Sequence, residues 1–166
     1  MTYKLISDSL DAELNKRIKV ELDSAQIYKA MGSWCRYNGF NNVAKFFFKH
    51  AAEEIDHSQK VIDYIDDKNC IAVIPQVDKP DTSGYSDIKV IFDIAMKHEM
   101  SVTKSYNDLA TSAIKEGDHD VYRFAQTVLN EQVEELKKFR DILDIIDLNS
   151  DNPNLSYILE HEAENF

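Results

Sequence analysis

From Ser86 to Glu116 the chain contains no glycine or proline, and its apolar positions recur at helical spacing: Ile88, Ile91, Phe92, Ala95, Val102, Tyr106, Leu109 and Ala113. One charge, Glu99, breaks that stripe. Three other stretches repeat the pattern. Glu21 shares a stripe with Leu10, Leu14, Ala25 and Tyr28. Glu54 lies among Phe47, Ala51, Ser58, Val61 and Ile65, and Glu135 among Val121, Phe124, Val128, Phe139 and Ile142. Four carboxylates buried at one level of a helical assembly cost several kcal/mol each unless a multivalent cation neutralises them. The fold must therefore gather four helices around a charged layer, and a metal is the leading reason for that layer.

Only 4 glycines and 3 prolines punctuate 166 residues, which favours long helices over sheet and gives an all-α class. The length suits one domain, 1–166. The spacing predicts a first helix over 8–37, with Asp8 as N-cap and Asp11 three residues on, ended by Asn38 and Gly39. A second follows over 41–68, with Asn41 or Asn42 as its cap. From 70 to 84 the period is lost around Pro75, Pro80 and Gly84, so about 15 residues form an extended crossover. At ~3.3 Å per residue it spans roughly 45 Å, the length of a long helix. A third helix covers 86–116. Gly117 ends it, and Asp118 caps a fourth over 118–148. After Pro153 a short amphipathic piece with Leu155, Ile158 and Leu159 predicts a fifth helix over 153–164. Short links make the first pair and the second pair of helices antiparallel hairpins, and the crossover lets the second and third helices run parallel.

The formal charge of −11 argues against a nucleic-acid partner, which would need clustered Lys and Arg. Met1 to Leu10 has no apolar run of signal-peptide length, and no segment reaches the ~20 apolar residues of a membrane span, so a cytoplasmic protein is expected. Cys35 and Cys70 lack CxxC spacing and are expected as packed, reduced thiols.

Glu54 and His57 are three apart, on one helix face about 60° from each other, where both can hold one ion. Carboxylates with one imidazole suit Fe(II), Mn(II) or Zn(II), and the lack of a thiolate cluster disfavours structural zinc. Glu54 is the best candidate for a bridge between two ions. Tyr28, seven residues after Glu21, should reach the same level. Tyr106 and Trp34 are expected to be packing residues. His50 could compete as a ligand in a His50-x-x-Glu53 pair, but its phase is poorer, so a surface or interface position is expected; His98, His119 and His161 are expected at solvent or an interface.

These segments, taken together, resemble the bacterial non-haem ferritins: Glu21 through Tyr28, SWCRY at Ser33–Tyr37, HAAEEIDH at His50–His57, KHE ending at Glu99, and NEQVEE at Asn130–Glu135. The resemblance spans essentially the whole chain. It implies a ferritin-like four-helix bundle with a short C-terminal fifth helix. It further implies that Glu21, Glu54 and His57 hold one iron and that Glu54, Glu99 and Gln132 serve a second. Glu53, Glu131, Glu134 and Glu135 would form an additional, more labile iron site. Tyr28 would hydrogen-bond a ligand carboxylate or donate an electron. The implied activity is oxidation of Fe(II) to Fe(III) by dioxygen or hydrogen peroxide, with the product mineralised in a hollow shell of about twenty-four copies.

Two departures from neighbouring families matter. A bacterioferritin would carry a second E-x-x-H in the fourth helix, where Glu131 is here followed by Glu134, and a haem-binding Met in the second helix, where none occurs between Met31 and Met96. No haem is therefore expected. A rubrerythrin-like protein would add a Cys-rich iron module, which two isolated cysteines cannot build. A di-iron peroxidase or oxygenase of the same fold would use the same acids for different chemistry. From a different class, a non-enzymatic helical interaction bundle would keep its internal glutamates only to set register.

Overall fold

Helices form wherever the apolar period runs unbroken. The computed structural model describes residues 3–164 and contains α1 (Asp8–Tyr37), α2 (Asn41–Asp67), α3 (Ile88–Glu116), α4 (His119–Leu148) and α5 (Leu155–Glu162). No described residue lies in a strand.

The helix starts show where local sequence decides and where it does not. Asp87 and Asp118 cap α3 and α4, accepting from Val90 N–H at 3.0 Å and Val121 N–H at 2.9 Å, and Gly117 sits at φ 71° where L side chains are strained. At α1 the cap is Ser7, not the expected Asp8; the serine Oγ accepts from Leu10 N–H at 3.1 Å, while Lys4 engages Asp8 and Asp11. At α2 neither Asn41 nor Asn42 caps with its side chain. Phe40 holds the N-cap position, and the Glu160 carboxylate of α5 accepts from Asn42 N–H at 2.9 Å and Val43 N–H at 3.2 Å. A carboxylate at the positive end of a helix satisfies orphan donors and the macrodipole together.

The N-terminal segment ties one end of the bundle together. Leu5 N–H donates to Lys68 O, past the end of α2, and Ser7 Oγ–H donates to the Glu116 carboxylate at the end of α3. α1 is therefore antiparallel to α2 and α3, and α2 and α3 run parallel as the crossover requires. That crossover is strapped along α1 by Asn15 Oδ1 accepting from Val73 N–H and by the Lys19–Asp78 ion pair.

The apolar core is split in two. One cluster gathers the C-terminal half of α1, the N-terminal halves of α2 and α3, the end of α4, and α5, around Phe47, Phe92, Phe139 and Tyr28. The other gathers the opposite halves around Leu14, Ile18, Ile65 and Leu109. Each fully buried side chain of this size contributes roughly 1.5–3 kcal/mol. Between the clusters lies the layer that carries Glu21, Glu54, Glu99 and Gln132, all at most 4% exposed.

Candidate metal centre

Each helix contributes to the layer by its phase. In α1, Glu21 sits one turn before Ala25 and two before Tyr28 on the buried face. In α3, Glu99 keeps its place in the stripe, and in α2 Glu54 and His57 face inward together. Ligand atoms of Glu21, Glu54 and His57 all lie within 4.8 Å of one another, and His57 Nδ1 is 3.0 Å from Glu54 Oε2. Tyr106 O–H donates to Glu21 Oε1, and Tyr28 O–H donates to Glu99 Oε1. The second oxygens, Glu21 Oε2 and Glu99 Oε2, are buried without a hydrogen-bond partner. Two orphaned carboxylate oxygens on either side of a third buried carboxylate are unfavourable for a protein alone and fitting for cations.

In α4 the structure departs from the expectation of an inward Glu135. Gln132 takes the buried position at this level, and Glu135 stands at the edge. There Glu135 meets His50, which is 2% exposed and not at the surface: its Nδ1 pairs with the Phe46 carbonyl at 3.0 Å, and its Nε2 lies 3.2 Å from Glu135 Oε2. Four residues before Glu54, His50 is on the same side of α2, and burial against Phe46 and Phe139 turns it inward. Ligand atoms of His50, Glu53 and Glu135 form a second group within 4.8 Å. Glu131 and Glu134 line the open pocket of about 410 Å³ beside it, together with Asp56, His57 and Lys60. Lys60 holds both Glu131 oxygens at 3.1 and 3.2 Å.

His98 is half-buried and not at the surface, pairing with Ser24 Oγ at 2.7 Å and meeting the Tyr28 ring edge-on, because a turn of α3 carries it toward α1 beside Glu99. His119 and His161 are exposed, and Trp34 packs against the core. Cys35 and Cys70 are free and buried, and burial pushes the Cys35 thiol up to about 12. Tyr106 is core, as its stripe implies, but its hydroxyl also serves Glu21. Its place seven residues after Glu99 on one face was the available signal. Thr103, whose hydroxyl donates to Gln132 Oε1 at 3.1 Å, gave none.

Electrostatics separate the two groups. Burial, then the charge of Glu99, pushes the Glu54 carboxyl up to about 8. Burial and the charge of Glu54 raise Glu21 well above the carboxylate range, and burial raises Glu99. Burial also acts against the charged form of Glu135, but hydrogen bonds from His50 and Lys138, with their charges, outweigh it and bring its carboxyl down to about 2. The inner layer thus lacks positive charge where carboxylates crowd, while the outer group has its own cations.

A family model for a ferritin-like domain matches residues 11–149. The bacterial non-heme ferritin of Escherichia coli O6:H1 is 32% identical over 158 residues, covering 95% of each chain. That of Campylobacter jejuni is 30% identical over 161 residues, covering 97% of this chain and 96% of its own. Among solved structures, an open-pore ferritin from Archaeoglobus fulgidus superposes with a TM-score of 0.91 at 26% identity, covering 95% of this chain and 96% of its own. Chlorobium tepidum ferritin gives 0.85 at 28%, covering 96% of both. With a bundle core cut by a carboxylate layer and matches over nearly its whole length, this chain belongs to the ferritin family, alongside the bacterial non-haem ferritins.

Proposed function

We propose that the protein stores iron and is a ferroxidase, binding two Fe(II) ions per chain within the bundle and oxidising them to Fe(III). The observation that carries this is the pair of partnerless buried oxygens on Glu21 and Glu99, set around Glu54 and His57. Glu21, Glu54 and His57 take the first ion. Glu54 bridges to the second, which Glu99 holds from the other side. Two Fe(II) ions together supply the two electrons that reduce dioxygen to hydrogen peroxide, or hydrogen peroxide to water, and the bundle supplies open coordination positions in a dry interior.

The tyrosines keep the ligands aimed. With one oxygen of Glu21 and one of Glu99 fixed by Tyr106 and Tyr28, the other oxygen of each points to metal. Tyr28, in contact with a ligand carboxylate, is also the residue placed to donate an electron. Glu53 and Glu135 hold a third, more labile iron with His50, and Glu131 and Glu134 line the pocket leading to it. The chains assemble into a hollow shell of about twenty-four copies in which ferric iron is mineralised. Nothing in α2 offers a methionine to haem. A cytoplasmic location suits an iron store, and among the described residues no helix is long and apolar enough to cross a membrane.

Anaerobic Fe(II) titration of apo-protein tests this. About two tight equivalents per chain are expected, then a weaker third, with ferric absorption rising when dioxygen is admitted. A single equivalent and no ferric absorption would rule out the ferroxidase.

A further inference from the structure

The two hydrogen bonds that aim the ligands, Tyr106 to Glu21 and Tyr28 to Glu99, are one arrangement used twice with α1 and α3 exchanged. Seven residues separate Glu21 from Tyr28 on α1, and seven separate Glu99 from Tyr106 on α3. Each pair is accompanied by a further link between the same two helices. One turn before Glu21, the Arg17 guanidinium reaches across and donates to the carbonyl of Ser105, the residue just before Tyr106. One turn before Tyr28, Ser24 Oγ meets Nε2 of His98, the residue just before Glu99, at 2.7 Å. The links therefore repeat with the same step as the Tyr–Glu pairs, seven residues on along α1 and seven back along α3.

Each link is held from behind. Ser24 Oγ–H donates to Val20 O at 2.9 Å, which uses its one proton, so His98 Nε2–H is the donor to Ser24 Oγ. The His98 ring fixed in this way stands edge-on to Tyr28, with centroids 5.9 Å apart and planes at 87°. Arg17 is 3% exposed, and its Nη1 donates to the carbonyl and carboxylate of Glu13 at 3.0 and 2.6 Å. A planar guanidinium anchored on its own helix presents Nη2 to α3 in one direction. Glu21, Glu54 and His57 belong to the α1–α2 hairpin and Glu99 to the α3–α4 hairpin. How α1 lies along α3 thus sets how the two halves of the site face each other.

We infer that Arg17–Ser105 and Ser24–His98 are two register pins, each positioning one Tyr–Glu pair without ligating. The arginine pin sets Tyr106 on Glu21 for the first ion, and the histidine pin sets Tyr28 on Glu99 for the second. The pins rest on the two-ion site proposed above.

Calorimetric titration with redox-inert Zn(II), and the visible spectrum of bound Co(II), read the two equivalents on the assembled apo-protein. Outer-shell partners are worth about 10–100-fold in metal affinity, and the pins act one contact further out, so a loss of roughly 3–10-fold is expected. H98L should weaken the second equivalent by that factor and shift its Co(II) bands, with the first equivalent unchanged. H98Q, whose amide nitrogen can still donate to Ser24, should recover most of both. R17M should do the converse, weakening the first equivalent and shifting its bands. R17K, which keeps a donor for Ser105, should show a smaller loss confined to the first equivalent, and it carries this arm alone if R17M fails to assemble. Unchanged affinities and bands, losses shared equally by the two equivalents, or an H98Q no better than H98L would overturn the pins while leaving the two-ion site standing. A wild-type chain that binds no second equivalent would overturn the two-ion site, and the pins with it.

Discussion

Replacing Glu54 with glutamine should make the metal-free protein more stable and strip it of fast iron oxidation. The carboxyl is 4% exposed, and burial with the Glu99 charge raises it from 4.5 to about 8. Between those values the folded chain keeps a proton that the unfolded chain releases. Stability is therefore unaffected by Glu54 below about pH 4.5, falls as pH rises through the window, and is reduced by the full amount above 8. At about 1.4 kcal/mol per tenfold, the interval sets a ceiling near 5 kcal/mol. Relaxation and water entry take up part of it, leaving about 2–3 kcal/mol for E54Q to recover. For a chain of this size that is a rise in melting temperature of roughly 5–10 °C at pH 8.5, and close to none at pH 4.5. The assay is a thermal melt of chelator-treated wild type and E54Q from pH 4.5 to 8.5. Parallel pH profiles for the two proteins, or a variant that melts below wild type at pH 8.5, would refute the account of Glu54 as an uncompensated buried acid. The same variant should show slow oxidation of Fe(II) in stopped-flow, since an amide cannot bridge two cations as a carboxylate does; wild-type rates would remove Glu54 from the bridging position.

Tyr106→Phe leaves both oxygens of Glu21 without a donor, so the first-site affinity for Zn(II) should fall about tenfold while the second is little affected, as read by calorimetry; equal effects on both sites would contradict the pairing. Glu160→Ala removes the acceptor at the start of α2 and should cost about 1 kcal/mol, a fall of a few degrees in melting temperature with iron oxidation retained. A melt identical to wild type would show that α5 does not anchor α2.

Much of the site was legible in the order of residues because helical phase is a local property. The 3.6-residue period places Glu21, Glu54, His57 and Glu99 on inward faces, and one turn of spacing joins Glu54 to His57. Glu135 shows where that logic ends. By phase it belongs to the apolar stripe of α4, yet Gln132, three residues earlier, takes the buried place. His50 misleads in the opposite sense: expected at a surface or interface, it lies one turn before Glu54 on the same side of α2, and Phe46 and Phe139 enclose it.

What the sequence by itself determined was five helices, a crossover long enough to make α2 and α3 parallel, and a layer of acids needing a cation. Periodicity and turn chemistry act over a few residues, so these follow from reading along the chain. The tertiary structure alone decided which residues meet across it: Tyr28 with Glu99 at a separation of 71 residues, Tyr106 with Glu21 at 85, and Glu160 with the start of α2 at 117 and 118. Those meetings depend on the rotation and register of one helix against another, set by how the two apolar clusters interlock, and no local spacing encodes that.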